Sequence, residues 1–185
     1  MPEWDYNDLI SWDDEANPHP NVKALNISNN NLTSLPEKIF KLTSLEYLYC
    51  NKNNLKVLPK QLFELNKLVL LNCRDNMIKE IPKEISLSSL VVLNCSNNCF
   101  VDLPNEIIFT ANLSQIYSYG NPYGNHFQLK SQNNSLEEIK RHFRIKGIKL
   151  SNAKELMAKE KIKAFISQYV IPKYYDVTEN IYLYI

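Results

Sequence analysis

The sequence is poor in the residues that usually do chemistry. Histidine occurs only at positions 19, 126 and 142, glycine only at 120, 124 and 147, and cysteine at 50, 73, 95 and 99 of 185 residues. A phosphate-cradling loop needs several glycines at fixed spacing, and neither GxxxxGK[ST] nor GxGxxG is present. The sequence also lacks HExxH, a Cys/His zinc spacing and a GxSxG elbow, and none of its cysteines is placed for a Cys/His nucleophile. The expectation is therefore a non-enzymatic protein with no cofactor, no metal and no small-molecule substrate. The cysteines carry a different signal. Cys50, Cys73 and Cys95 lie 23 and 22 residues apart. That spacing predicts one core column on adjacent strands, with the thiols reduced and buried and Cys99 more exposed. Strands ~4.8 Å apart are near enough for a disulfide, but parallel side chains would have to rotate to form one.

The cysteine spacing belongs to a wider repetition, which decides architecture before any other signal. In LEYLYCNKNNLKVLPKQLFELNK, the fixed places are Leu45, Leu48, Cys50, Asn53, Leu55, Leu58-Pro59, Leu62 and Leu65. The preceding copy has Val22, Leu25, Ile27, Asn30, Leu32, Leu35-Pro36, Ile39 and Leu42. The next two run from Leu68 to Leu87 and from Leu90 to Ile107, and a partial fifth opens at Leu113 and dissolves near Tyr123. The third copy, around Ile85-Ser86-Leu87-Ser88-Ser89, is one residue short. Period-2 alternation at the head of each copy predicts a short strand with one face buried. One copy cannot bury its own apolar face, so the copies must stack on a shared core. The prolines at 36, 59, 82 and 104 fit the extended return path, where a missing N–H does no harm.

This pattern resembles the leucine-rich repeat family, of form LxxLxLxxNxLxxLPxxIxxLxx, over Val22 to Tyr123. Its Leu-Pro form looks like that of intracellular leucine-rich repeat proteins of the Ras-suppressor type. The resemblance implies an α/β fold: a short, right-handed leucine-rich repeat solenoid with a parallel β-sheet on its concave face and a helical C-terminal cap. It also implies non-catalytic binding of a protein partner, as adaptor or decoy.

Two sets of residues follow from the register. Asn30, Asn53, Asn76, Asn98 and Asn121 fall just after each strand, where an amide can bond to backbone groups exposed by the turn. They are expected to form a structural ladder. Outward positions form columns across the strands, and they hold Tyr47, Tyr49, Leu70, Asn72, Arg74, Val92, Asn94, Tyr117 and Tyr119. Aromatic surface rimmed by amides and one Arg is what protein interfaces use as anchors, so these nine are the expected partner-binding residues. A fourth column reads Asn29, Lys52, Asp75, Asn97 and Gly120.

Three regions are expected: an acidic, aromatic N-terminal cap (1–21), four full and one partial repeat (22–124), and a helical C-terminal cap or tail (125–185). Net charge is −6 over the first, +2 over the second and +5 over the third. Trp4, Tyr6, Leu9, Ile10 and Trp12 among the acids would cover the first repeat, with a helical turn across Asp5–Trp12. Ser135-Leu136-Glu137-Glu138 reads as a capping box opening a helix to Arg144, and a second helix is expected from Asn152 to Val170. An alternative from a different class is an anionic-surface or nucleic-acid binder using Lys140, Arg141, Arg144, Lys146, Lys149, Lys159, Lys161 and Lys163; steep salt dependence would mark it. Nucleic acid is not the expected partner, since +5 over 61 residues is mild. No apolar run reaches membrane-spanning length, and the first fifteen residues lack the basic start and apolar core of a signal peptide. An intracellular, cytoplasmic location is expected.

Overall fold

The computed structural model describes residues 3–17 and 20–122 and the backbone of residues 134–135. The chain divides into two compact units, Met1–Lys146 and Gly147–Ile185, and the described residues all belong to the first.

Each repeat contributes a strand only three residues long, because the alternation lasts no longer before the asparagine turn. The strands are β1 (Glu3–Asp5), β2 (Ala24–Asn26), β3 (Tyr47–Tyr49), β4 (Leu70–Asn72), β5 (Val92–Asn94), β6 (Gln115–Tyr117) and β7 (Asn134–Ser135). They form one sheet in chain order. All neighbours from β1 to β6 are parallel, whereas β7 runs antiparallel to β6. The register pairs Leu25, Leu48, Leu71, Leu93 and Ile116 across the core face. All five are fully buried. The sheet is the concave side of a right-handed leucine-rich repeat solenoid, open at its ends rather than closed into a barrel.

The return path is set by proline. Pro36, Pro59, Pro82 and Pro104, with φ of −59°, −64°, −56° and −63°, precede 3-10 turns at Glu37–Lys41, Lys60–Glu64, Lys83–Leu87 and Asn105–Phe109. Their ring-fixed φ suits this entry, and the absent N–H is not needed there. Each turn buries its third residue: Ile39, Leu62, Ile85 and Ile107, all fully buried.

Two details of the return path differ from the repeat pattern. Leu87, placed by the pattern in the core, is 41% exposed, and Ser88 is buried in its stead. The missing residue of the third repeat therefore lies after the 3-10 turn, between Ser88 and Leu90, and not within it. Ser88 and Thr110 fill places that Leu42 and Leu65 hold in earlier repeats, and both hydroxyls donate to the Ile85 carbonyl, at 2.8 and 3.1 Å. A buried hydroxyl is tolerated when so paired. Phe63, outside the repeat pattern, is only 1% exposed and adds volume beside Leu62.

The turn after each strand uses a left-handed residue. Asn29, Lys52, Asp75, Asn97 and Gly120 have φ of 58°, 55°, 55°, 52° and 71°. Asn, Asp and Gly are the residue types that enter this region most readily, which leaves Lys52 as the exception.

The N-terminal segment extends the sheet. β1 lies parallel to β2, pairing Trp4 with Leu25, and helix α1 (Tyr6–Ser11) follows at once. Asp5 caps α1 by accepting from the Asn7 and Asp8 amides at 2.7 and 3.0 Å, while its own amide donates to Asp8 Oδ2 at 2.9 Å. That reciprocal arrangement is a capping box. Leu9 and Trp12 are buried, and the Trp4 and Trp12 rings meet edge-on at 5.6 Å. Asp14 pairs with Lys38 at 3.8 Å and with Lys41, and Lys38 Nζ also donates to the Trp12 carbonyl at 2.5 Å. At the other edge, Ser135 lies in β7. The helices expected over 136–144 and 152–170, with the basic residues of the alternative reading, lie outside the described residues.

Candidate functional site: the concave face

The asparagine turns come first, because they hold the strand ends in register. Asn53 Nδ2 donates to the carbonyls of Ile27 and Cys50 at 2.9 and 3.0 Å, and its Oδ1 accepts from the Asn30 and Leu32 amides, both at 3.0 Å. Asn76 bonds in the same way to the Cys50 and Cys73 carbonyls and the Leu55 amide, at 3.1, 3.0 and 2.9 Å. Asn98 reaches Cys73 and Cys95 and accepts from Ile78. Asn121 reaches Cys95 and Ser118 and accepts from Asn98 and Phe100. Each of these four amides thus ties its own repeat to the one before. Among the described residues the Asn30 side chain, in the first repeat, bonds only to the Ser28 carbonyl, at 2.9 Å.

Behind them stand Cys50, Cys73 and Cys95, free and fully buried, while Cys99 is exposed. Burial pushes the Cys73 thiol up to about 12 from an ordinary 9.0. Burial, reinforced by the neighbouring Cys73, likewise raises Cys50 and Cys95 well above that value. These thiols stay protonated and are packing groups rather than nucleophiles. Among the described residues no group of His, Cys, Asp and Glu is arranged to hold a metal ion.

On the outer face the register brings the sequence-derived columns together. Tyr47 pairs with Leu70 and Leu70 with Val92; Tyr49 pairs with Asn72, Asn72 with Asn94, and Asn94 with Tyr117. Tyr47, Tyr49, Leu70, Asn72, Val92, Asn94 and Tyr117 are all half-buried, as are Arg74 and Tyr119 beyond the strand ends. Ala24, at the head of the first column, is buried. The two amides are partly committed, since Asn72 Oδ1 accepts from the Arg74 amide and Asn94 Oδ1 from the Ser96 amide, each at 3.2 Å. The Tyr117 hydroxyl donates to Gln115 Oε1 at 3.2 Å. At the opposite ends of the strands, Lys23 donates to Glu46 at 2.7 Å, and that bond raises the lysine pKa.

Arg74 has the most distinctive setting. Its guanidinium carbon lies 5.5 Å from the centre of the Tyr119 ring, a cation–π distance. Ser96 holds the equivalent place in the repeat between them and is completely buried, although its column faces outward. Its Oγ has no hydrogen-bond partner, and Arg74 Nε, 3.2 Å from Asp75 Oδ2, is close enough for an ion pair but is not aligned for a hydrogen bond. Asp75 Oδ1 in turn accepts from Asn97 Nδ2 at 2.6 Å. The repeat pattern could not show that Arg74 reaches Tyr119, because the contact spans two strand spacings.

The comparisons with known proteins agree with this geometry. Residues 20–78 match the leucine-rich repeat family model. Over these residues the chain carries leucine-rich repeats. Its fold is similar to that of a Leptospira interrogans leucine-rich repeat protein, with 29% identity and a TM-score of 0.56 over 65% of this chain and 29% of that one. Other similar structures are the leucine-rich repeat ectodomain of the Arabidopsis thaliana receptor kinase GASSHO1/SCHENGEN3 in complex with CASPARIAN STRIP INTEGRITY FACTOR 2, and InlP of Listeria monocytogenes. Identities are 36% and 31% and TM-scores 0.49 and 0.44, over 54% and 52% of this chain and 13% and 26% of those. The chain thus spans less than a third of the length of each. No curated protein matches the sequence significantly. Leucine-rich repeat domains generally mediate protein–protein interaction. Among the described residues no helix is long and apolar enough to cross a membrane.

Proposed function

We propose that this chain is a non-catalytic binding module that takes a protein partner on its concave face, as an intracellular adaptor or decoy. One observation carries the reading: Tyr47, Tyr49, Leu70, Val92 and Tyr117 stand half-exposed on one side of four registered strands. Large aromatic area with few rotamers to freeze is what binding hot spots are made of. The half-buried setting supports this, because such side chains are already positioned by their neighbours and lose little freedom on docking. The acidic N-terminal segment and residues 125–185 are assigned as caps of the repeat stack.

The test is a panel of Tyr47→Ala, Tyr49→Ala, Arg74→Ala and Tyr117→Ala, assayed against a partner recovered by affinity capture, beside the convex-side control Lys60→Ala. A true anchor loses about 2 kcal/mol or more, roughly thirtyfold in affinity, with folding unchanged. Wild-type binding by all four concave variants would remove the site from this face.

A further inference from the structure

We propose that the partner presents a carboxylate side chain to the concave face, received by Arg74 with Lys52 beside it; this rests on the concave-face reading above. Three observations point there.

First, the guanidinium is already positioned. Tyr119 supports its face at 5.5 Å, and Asp75 lies against Nε at 3.2 Å. Among the described residues neither terminal Nη group donates a hydrogen bond, although the side chain is 42% exposed. A planar fork held from behind, with its outer donors uncommitted, matches the two oxygens of a carboxylate. Second, the local charge is unbalanced. In the two columns beyond the strand ends the ionised groups are Lys52, Arg74 and Asp75, a net +1. Asp75 is occupied on both oxygens, by Asn97 and by Arg74. Lys52, whose amide donates to the Arg74 carbonyl at 2.9 Å, has no carboxylate within ion-pair distance among the described residues. Third, Lys52 is conformationally out of place. It holds φ of 55° where the equivalent residues are Asn, Asp, Asn and Gly. A lysine retained at a strained, exposed corner next to the only described arginine is explained by its charge.

The partner is thus an acidic protein segment rather than an apolar one, with Asp or Glu at the Arg74 end and apolar side chains against Tyr47 and Leu70. The probe is a displayed random heptapeptide library panned against the full chain. Enriched peptides are then measured against wild type, Arg74→Ala, Arg74→Lys, Lys52→Asn and the double variant Tyr49→Ala/Tyr117→Ala, each checked for unchanged melting. Expected is a recurring acid at one peptide position. Replacing it by its amide, or Arg74 by Ala, should weaken binding roughly 10- to 100-fold, and the two changes together no further. Arg74→Lys should recover only part of the loss, and Lys52→Asn, which suits the left-handed corner, should lower the salt dependence. Enriched peptides without a recurring acid, or an acid whose loss is indifferent to Arg74→Ala, would overturn the carboxylate assignment, and loss of binding in the tyrosine double variant would then leave the concave-face reading standing. Peptides that bind the tyrosine double variant as well as wild type, or no enrichment over that variant, would overturn both.

Discussion

Asn76 joins two repeats through one amide, donating to the Cys50, Cys73 and Arg74 carbonyls and accepting from the Leu55 amide. It is 8% exposed, so water cannot replace what the side chain supplies. Asn76→Ala should lower unfolding free energy by at least about 1–3 kcal/mol, the cost of leaving buried polar groups unpaired. Asn30→Ala, removing a single hydrogen bond at a half-buried site, should lower it by less. Denaturant titration of the pair compares them directly, and equal losses would deny the ladder its role. At the left-handed corner, a Cβ added to Gly120 would lie 2.0 Å from Asn97 Oδ1, and φ there is 71°. Gly120→Ala should therefore be destabilising by about 1 kcal/mol or more, whereas Lys52→Gly should be stabilising by about 0.5–1 kcal/mol. The two substitutions move in opposite directions because only one of the two residues suits its backbone. The buried thiols predict the alkaline limit. Cys73 ionises near 9.0 unfolded but about 12 folded, so its proton is held more tightly by the native state. The stability this protects is whole below pH 9 and falls between pH 9 and 12, by about 1.4 kcal/mol per pH unit. Cys73→Val should flatten the pH dependence of stability over that window by the same slope. Native thiol labelling should be slow at Cys50, Cys73 and Cys95 and fast at Cys99.

At the scale of elements, the N-terminal segment binds the first repeat by three different means. The β1 strand pairs with β2, Leu9 and Trp12 are buried, and Asp14 meets Lys38 and Lys41. The bond from Lys41 holds the Asp14 carboxyl below its ordinary 3.8. Because the folded pKa is the lower one, this contribution is whole above pH 3.8 and is lost as pH falls below it. Asp14→Asn should lower the melting temperature slightly at neutral pH and low salt. The difference from wild type should vanish in acid and shrink in high salt, since the pair is solvent-accessible. A difference that persists in acid would assign the effect to packing instead. Trp12→Ala tests the apolar part; it removes a 93% buried ring and should cost about 3–5 kcal/mol.

Across the described part of the molecule, strands and 3-10 turns pack chiefly on those of neighbouring repeats, with the Arg74–Tyr119 contact reaching one repeat further, the mark of a quasi-one-dimensional stack. Its stability is then a sum of repeats and interfaces, and an interior repeat touches neighbours on both sides. Leu71→Ala in β4 should cost about 2–5 kcal/mol and lower one shared unfolding transition rather than create a second. Hydrogen exchange should find the slowest amides around Cys50, Cys73 and Cys95, which donate into the next strand at 2.9, 2.8 and 2.8 Å. A separate early transition for residues 22–67 would show the stack to be divided.

Strand positions, the shared core and the order of the sheet were legible in the sequence because they depend on a period. Val22, Leu45, Leu68, Leu90 and Leu113 recur at nearly constant spacing, and stacking converts equal offset into equal position. The asparagine and cysteine columns follow from the same rule. What the period could not reach is whatever breaks it or spans it. Leu87 and Ser88 exchanged roles because the one-residue gap falls after the 3-10 turn, and only the packed chain shows which residue faces inward. Phe63 is buried by its neighbours rather than by its place in the repeat. The burial of Ser96, and the reach of Arg74 from the third repeat to Tyr119 in the fifth, were decided by the tertiary structure alone. Such a contact depends on side-chain length and on the distance between strands, which sequence offset does not encode.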